Sequence, residues 1–391
     1  MATATKKKPV KKKPVKREAE QTSAKKKKSQ ESARTRAKKK RNRIILFIIE
    51  IFVLLIMLLV LWAVLKVEKV GTVEIPEEDI VINPEVEERI ETTMKGYRNI
   101  ALFGVDSTTG ALTKNTRSDS IMIASINLDT GECKLVSVYR DTYLNLSNDS
   151  YNKCNAAYAK GGPKQAINML NMNLDMNITD FVTVGFEGLT DTIDALGGVE
   201  IDVKESEIVH LNNYQISMVG KTKDGEHFEA DAGVDYIPVT TAGRQVLNGL
   251  QATAYCRIRY VGDDFERARR QRTVIAAIAE KVKKASPAAL NQIANDVFGE
   301  VYTSLTINEI LELLKEVTKY EIVDEGGFPE ESMRTAGTIG SKGSCVVPVS
   351  LADNVVWLHQ FLFEDQDYTP SAAVQEYSDK IHADTSAYVG K

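Results

Sequence analysis

Three predicted strands have charged residues at one end: the first and third in the chain are followed by them, and the second is preceded by them. Two of them, over 120–126 and 134–139, are separated by the turn-forming stretch 127–131, so they are predicted to form a hairpin. The remaining one, over 99–105, is a short apolar run typical of a buried strand. If it neighbours the hairpin, all three charged ends meet at one edge of a sheet. That edge would hold Asp106, Arg117, Asp119, Arg140 and Asp141.

A second charged group lies in the stretch YCRIRYVGDDFERARRQ, residues 255–271. Arg257 and Arg259 alternate in a predicted strand over 252–260, so we expect them to share a face. On the helix predicted to follow, residues spaced i, i+3 and i+4 also share a face. These are Arg267, Arg270 and Gln271.

The residue types in these two groups suit phosphate chemistry. Guanidinium groups bind phosphate oxygens with two parallel hydrogen bonds, and Mg²⁺ prefers one or two carboxylates together with phosphate oxygens. The alternative is a set of surface ion pairs, which the helical arginines on their own would favour. Arg257 and Arg259 favour an anion pocket, because unpaired charge within an apolar strand is costly. Motifs of zinc proteases, serine hydrolases and P-loop enzymes are absent from the sequence.

Strands and helices alternate along the chain, which predicts an α/β domain with a mixed sheet. A helix that begins near Asp263 is expected to run to about residue 284. The other expected elements are a helix over 186–196, a strand over 199–203, helices near 288–302 and 307–319, an edge strand over 345–349 and a final helix over 353–363.

Residues 44–65 are almost wholly apolar, with Glu50 as the one charge. As a helix they would extend about 33 Å, enough to cross a bilayer. A cleaved signal peptide fits poorly, because the run is long and no small-residue cleavage site follows it. Residues 1–43 carry 19 lysines and arginines against three glutamates, so this tail is expected in the cytoplasm and the rest outside. The tail is read as attracted to anionic lipid, and no nucleic acid is expected as a partner.

The resulting organisation has five parts: a disordered basic tail (1–43), a transmembrane helix (44–65), an extracytoplasmic stalk (66–96), the α/β domain (97–368) and a C-terminal tail (369–391). The domain holds all four cysteines, and no CxxC motif suggests zinc. Buried thiols and disulfides both remain open, with three possible full pairings.

Six ordered motifs resemble the LytR–CpsA–Psr family over roughly residues 97–285. They are NIALFGVDS, RSDSIMIASINLDTGECKLVSVYRDTYL, NKCNAAYAKGG, DALGGVEIDV, LNGLQATAYCRIRY and GDDFERARRQRTV. The resemblance implies an α/β/α domain with a mixed central β-sheet, preceded by one transmembrane helix. One departure is Tyr139, where the family commonly has proline.

The activity implied by the resemblance is phosphotransfer at a bacterial cell membrane. An undecaprenyl-pyrophosphate-linked glycopolymer, of the wall teichoic acid or capsule type, would be moved onto peptidoglycan with the assistance of Mg²⁺. Asp106 and Asp119 match the family's metal-associated carboxylates, and Asp106, Asp119 and Arg140 are the expected catalytic residues. The implied pyrophosphate-binding residues are Arg117, Arg140, Arg257, Arg259, Arg267 and Gln271, with Asp141, Lys153 and Arg270 as weaker candidates.

Three readings of the function can be compared. The glycopolymer transferase is the main one. A polyprenyl-pyrophosphate phosphatase would use the same site with water as the acceptor, and a non-enzymatic envelope regulator would need no intact site. The identity of a general base stays open between Asp106 and Asp119.

Overall fold

The computed structural model describes residues 71–105, 112–113, 116–222, 228–286, 290, 293 and 300–389. The predicted basic tail, the predicted transmembrane helix and Asp106 lie outside these residues. Within the part of the chain that is described, no helix is both long and apolar enough to cross a membrane.

The strands lie along the chain as follows: β1 (Gly71–Thr72), β2 (Tyr97–Val105), β3 (Ser118–Asn127), β4 (Glu132–Val138), β5 (Tyr143–Asn145), β6 (Tyr151–Lys153), β7 (Asp180–Gly185), β8 (Val199–Val203), β9 (Lys221–Thr222), β10 (Phe228–Glu229), β11 (Gly243–Leu247), β12 (Val301–Thr303), β13 (Glu321–Phe328), β14 (Arg334–Thr338) and β15 (Ser344–Pro348).

The helices are α1 (Val86–Ile90), α2 (Asn155–Leu174), α3 (Phe186–Ala195), α4 (Glu205–Val219), α5 (Gly249–Arg257), α6 (Asp264–Val282), α7 (Ile307–Lys315), α8 (Leu351–Phe363) and α9 (Ala372–Thr385).

A seven-stranded sheet forms the centre, in the order β1–β12–β7–β2–β3–β4–β13. Strands β2, β3 and β4 pair antiparallel in sequence order, so the predicted hairpin and its neighbouring strand are confirmed. Strand β7 runs parallel to β2, and β13 runs parallel to β4. The sheet is therefore mixed, as predicted, and the start of β3 lies at the same edge as the end of β4.

The central sheet is covered on both faces. Side chains alternate along β3, so Ile121 and Ile123 join the large core that includes residues of α2, α8 and α9. Met122 and Ala124 point to the opposite face, where they form a smaller cluster against Ile275 of α6. This gives the three-layer α/β/α arrangement.

A second core lies beside the sheet. The ribbon β8–β11 packs with α3, α4 and α5, and buries Val199, Ile201 and Leu247. Helix α3 ends at the two glycines predicted to stop it, and Gly198 has φ +88°. A Cβ at Gly198 would lie 2.7 Å from the Leu247 carbonyl oxygen, so the close approach of the two chain segments requires glycine.

The predicted strand over 252–260 is wrong, because this segment forms α5 and its C-terminal exit. Asn248 caps the helix by accepting a hydrogen bond from the Gln251 backbone, and the Gln251 side chain accepts from the Asn248 backbone. Residues 252–256 are buried. A short and largely buried helix has no polar stripe to distinguish it from a buried strand, which explains the error.

The stalk prediction is wrong for the described residues from 71 onward. Strand β1 pairs with β12, and Val86 and Met94 are buried in the main core. The Asn83 side chain donates a hydrogen bond to Asp175 at 2.6 Å, which fixes this segment against the end of α2. Residues 71–96 therefore belong to the folded domain.

The predicted C-terminal tail is also wrong over most of its length. Residues 372–385 form α9, whose Val374 and Ile381 are buried in the main core. The expected helix over 288–302 is wrong at its end, since Val301–Thr303 is a strand. The four cysteines are present as buried thiols.

Candidate active site

Asp119 lies at the centre of a group of arginines. Its Oδ1 accepts a hydrogen bond from Arg140 at 2.6 Å, and its Oδ2 accepts one from Arg267 at 2.9 Å. The Arg259 guanidinium lies 3.6 Å from the same Oδ2. One carboxylate thus holds three cations, which come from three separate segments of the chain.

Two strand ends at one edge of the central sheet, together with the start of α6, position this group. Asp119 stands at the beginning of β3, and Arg140 follows β4 by two residues. Helix α6 begins after Asp263, which caps it by accepting hydrogen bonds from the Phe265 and Glu266 backbones. Arg267 lies one turn inside this helix, and its side chain is 3% exposed.

Asp264 links the strand end to the helix. Its carboxylate lies 3.4 Å from Arg140 and 3.4 Å from Arg267. Asp264 is not among the site residues predicted from the sequence. Its i, i+3 spacing to Arg267 was the available signal.

A second ion pair extends the group toward β6. Lys153 lies 3.2 Å from Asp141, and Asp141 lies 3.8 Å from Arg140. Together these residues form what we term the arginine–aspartate cluster. It contains four cations and three carboxylates, so it carries one net positive charge: Arg140, Lys153, Arg259, Arg267, Asp119, Asp141 and Asp264.

Two buried nitrogens in this cluster make no hydrogen bond among the described residues. They are the Nε atoms of Arg140 and Arg267, of which the Arg140 Nε lies 3.4 Å from an Asp264 carboxylate oxygen without forming a hydrogen bond to it. A buried donor without a partner costs free energy, so a polar ligand that accepts these hydrogen bonds would be favoured. The net charge and these two atoms together indicate an anion site.

The ionisation of Asp119 is set by its arginines. Burial on its own would raise the pKa of Asp119, but the charges of Arg267 and Arg140 outweigh burial and hold the pKa below the ordinary carboxyl value. Burial likewise opposes the charge of Arg140, yet the carboxylates of Asp264, Asp119 and Asp141 leave its pKa raised. A carboxylate with a lowered pKa binds a proton weakly, so Asp119 is better suited to holding the arginines than to acting as a general base.

Arg257 and Arg259 do not share a strand face. Arg257 is the last residue of α5, and its guanidinium lies 4.7 Å from the centre of the Phe186 ring. Arg259 lies beyond the helix with a side chain that is 48% exposed. The structure brings Arg259 into the cluster and leaves Arg257 over an aromatic ring.

Arg270 faces away from the cluster. Its side chain is 2% exposed and pairs at 2.8 Å with Glu207, which is 1% exposed. It also donates to the backbone carbonyls of Ile258 and Val261. All its hydrogen-bonding nitrogens are therefore engaged within the protein, and Arg270 holds the segment that carries Arg259.

Gln271 separates the cluster from an apolar cavity. Gln271 and Ser120 line both a small polar pocket beside Asp119 and a cavity of about 250 Å³. Apolar side chains of the central sheet, α3 and α6 line most of that cavity, among them Leu102, Met122, Val182, Val184, Leu189, Val274, Ile275 and Ile278. No local pattern of residues predicts this cavity, because its walls come from segments distant in the chain.

The remaining candidates lie in or beside the β2–β3 connection. Arg117 is exposed immediately before β3. Asp106 lies outside the described residues, so its predicted position at this edge stays a prediction. Among the residues described, no group of three or more histidine, cysteine, aspartate or glutamate side chains is arranged to hold a metal ion.

Comparisons with known proteins agree with this fold. TagU of Enterococcus faecalis, named a polyisoprenyl-teichoic acid–peptidoglycan teichoic acid transferase, is 30% identical over 213 residues, covering 54% of this chain and 59% of the relative. TagV of Bacillus subtilis, with the same activity in its name, is 28% identical over 270 residues, covering 66% of this chain and 62% of the relative. The chain thus spans about three fifths of the length of these curated relatives.

One solved structure matches this chain over nearly all of the solved structure's length. The crystal structure of B. subtilis TagV has a TM-score of 0.52 and 27% identity, and the match covers 71% of this chain and 99% of that one. The profile of the LytR_cpsA_psr family matches residues 68–341, well over half of the sequence. The chain therefore belongs to the LytR–CpsA–Psr family.

Proposed function

We propose that this protein transfers a polyprenyl-pyrophosphate-linked anionic glycopolymer, of the wall teichoic acid or capsule type, onto peptidoglycan. The observation that carries the proposal is the contact between a positively charged cluster and an apolar cavity through Ser120 and Gln271. A prenyl pyrophosphate has the same two parts, an anion joined directly to an apolar chain. The names of the relatives TagU and TagV support this choice of substrate.

In the proposed reaction, a sugar hydroxyl of peptidoglycan attacks the phosphorus that carries the glycopolymer. The bridging P–O bond of the pyrophosphate breaks, the prenyl monophosphate leaves, and the hydroxyl proton passes to a base. Negative charge grows on the bridging oxygen during this step, and arginines already held in place stabilise it without reorganising. Arg140 and Arg267 are the main groups in this role, with Arg259, Arg117 and Gln271 as further ligands of the phosphates.

The proposal includes Mg²⁺ bound by Asp119 and Asp106. The Asp119 carboxylate is a suitable type of ligand, because Mg²⁺ commonly binds one or two carboxylates and completes its coordination shell with phosphate oxygens and water. Both Asp119 oxygens already accept hydrogen bonds from arginines, so the ion would have to share this carboxylate with them. Bound there, the ion would withdraw charge from the phosphoryl group.

We further propose that residues 44–65 cross the bacterial cell membrane once, with the basic tail inside and the catalytic domain outside. The excess of lysine and arginine before residue 44 supports this orientation. An anchored enzyme meets a membrane-bound substrate at a raised effective concentration.

Product analysis tests the proposed reaction. Full-length protein in detergent, given a prenyl-pyrophosphate-linked polymer and a peptidoglycan fragment, should yield polymer joined to the fragment and free prenyl monophosphate. Arg140→Ala should lower kcat by about 10²-fold, the scale of losing one donor to a developing oxyanion. Arg244→Ala, at an exposed site on β11, is the control and should keep normal activity.

Mass spectrometry of the products separates the competing functions. Release of polymer phosphate to water, with no joined product, would instead identify a phosphatase. A protein that catalyses neither transfer nor hydrolysis would leave the non-enzymatic envelope regulator as the remaining hypothesis.

Arg259 and Arg267 should differ in what their loss does. Arg267 is buried against two carboxylates, so Arg267→Ala should reduce the free energy of unfolding by about 3–5 kcal/mol. Arg259 is half-exposed, so Arg259→Ala should change stability by about 1 kcal/mol or less and weaken the stabilisation by a prenyl-pyrophosphate analogue. Thermal melts with and without the analogue check both expectations. An Arg259→Ala protein that is fully stabilised by the analogue would remove Arg259 from the phosphate site.

Filling the cavity should weaken binding of the lipid and leave binding of the anion unchanged. Leu189→Trp adds volume to the cavity wall, so binding of a long prenyl pyrophosphate should weaken while binding of inorganic pyrophosphate stays unchanged. Calorimetric titration of both ligands provides the measurement, with the exposed Leu314→Trp on α7 as the control. Equal binding of the long lipid by Leu189→Trp and wild-type protein would contradict the lipid assignment of this cavity.

Metal binding can be measured apart from activity. Titration of Mg²⁺ into protein that holds a prenyl-pyrophosphate analogue should give a weaker metal affinity for Asp119→Asn than for wild type. The exposed Asp202→Asn on β8 should behave as wild type does. Identical metal titrations for wild type and Asp119→Asn would exclude Asp119 as a metal ligand.

A further inference from the structure

Arg334, at the start of β14, contacts two aromatic rings beside the arginine–aspartate cluster. Its guanidinium lies 3.6 Å from the centre of the Phe265 ring and 5.0 Å from that of the Tyr139 ring. It also donates hydrogen bonds to the Tyr139 hydroxyl at 3.1 Å and to the Pro329 carbonyl at 3.3 Å. Stacking and directed hydrogen bonds together hold this side chain in one orientation.

The two rings also contact each other. Tyr139 and Phe265 pack edge to face, with 4.5 Å between ring centres. We refer to Arg334, Tyr139 and Phe265 as the aromatic clamp. The clamp joins the end of β4, the first turn of α6 and the start of β14.

Two residues of the clamp are sequence neighbours of residues in the cluster. Tyr139 directly precedes Arg140, and Phe265 directly follows Asp264. Arg140 and Asp264 are 3.4 Å apart, and each also contacts a further member of the cluster. A change in the distance between the two rings would therefore change the distance between the strand end and the helix that carries Arg267.

Gly327 leaves space for the side chain of Tyr139. A Cβ on Gly327 would lie 2.0 Å from the Tyr139 hydroxyl oxygen, so a larger residue at 327 could not coexist with Tyr139 in this position. Tyr139 is the departure from the proline that the family commonly has before this arginine. A tyrosine here supplies the ring and the hydroxyl that Arg334 contacts.

We propose that Arg334 is a positioning residue, which acts through Phe265 and Tyr139 to set the separation of Arg140 from Asp264 and Arg267. This inference rests on the proposed transferase function. It predicts that loss of Arg334 slows transfer although Arg334 is no member of the cluster, because a misplacement of about 1 Å at a reacting centre costs up to about 10²-fold in rate.

A double-mutant cycle in the full-length protein tests this role. Arg334→Met and Phe265→Leu should each lower kcat/KM for transfer about tenfold. The double variant should lose little more than either single one, because both changes break the same contact. Arg334→Lys keeps a cation over the ring and should recover part of the activity. Arg244→Met, which removes an exposed arginine of β11 that is not part of the cluster or the clamp, is the matched control.

Three results would overturn the inference. Multiplying losses in the double variant would mean that Arg334 does not act through Phe265. Lowered melting temperatures with unchanged kcat/KM in the folded protein would mean that the clamp serves stability only. A wild-type protein without transfer activity would defeat the proposed function itself, whereas an active wild type with active clamp variants defeats this inference alone.

Discussion

The attraction between the Asp119 carboxylate and its arginines is the interaction on which the candidate site depends. Arg140, Arg259 and Arg267 come from three places in the chain, and like charges this close together repel one another. One carboxylate at the start of β3 offsets that repulsion. It does so only because the hairpin β3–β4 and the capped start of α6 bring the partners within hydrogen-bonding distance.

The same arrangement leaves the cluster with an excess of positive charge, which favours the binding of an anion. The cluster keeps one net positive charge, and the Nε atoms of Arg140 and Arg267 make no hydrogen bond among the described residues. Full neutralisation would favour stability and would weaken the attraction for an anion. Functional sites often retain such unsatisfied groups at a cost in stability. In the proposed reaction, the pyrophosphate supplies the missing charge and acceptors, and the adjoining cavity supplies the apolar surface for the prenyl chain.

The sequence predicted the parts of the site that follow from local rules. Short apolar runs and a turn-forming stretch place Asp119 and Arg140 at one sheet edge, and the structure agrees. Local sequence rules did not predict side-chain positions that depend on partners from distant parts of the chain. Helical spacing puts Arg267 and Arg270 on one side of α6, but Glu207, from a distant helix, withdraws Arg270 from the site. The apolar run before Arg257 reads equally as a strand or a buried helix. The cavity and the Arg334 contacts depend on segments far apart in the chain, which no local pattern records.

The central claim is that the cluster binds pyrophosphate and the cavity beside it binds the attached lipid. A crystal structure of the protein with a prenyl pyrophosphate tests this most directly. The account predicts phosphate oxygens within hydrogen-bonding distance of Arg140 and Arg267, and a prenyl chain that passes Gln271 into the space between Leu189 and Ile275. A lipid bound elsewhere, with the Arg140 and Arg267 contacts to Asp119 unchanged and no phosphate beside them, would contradict it.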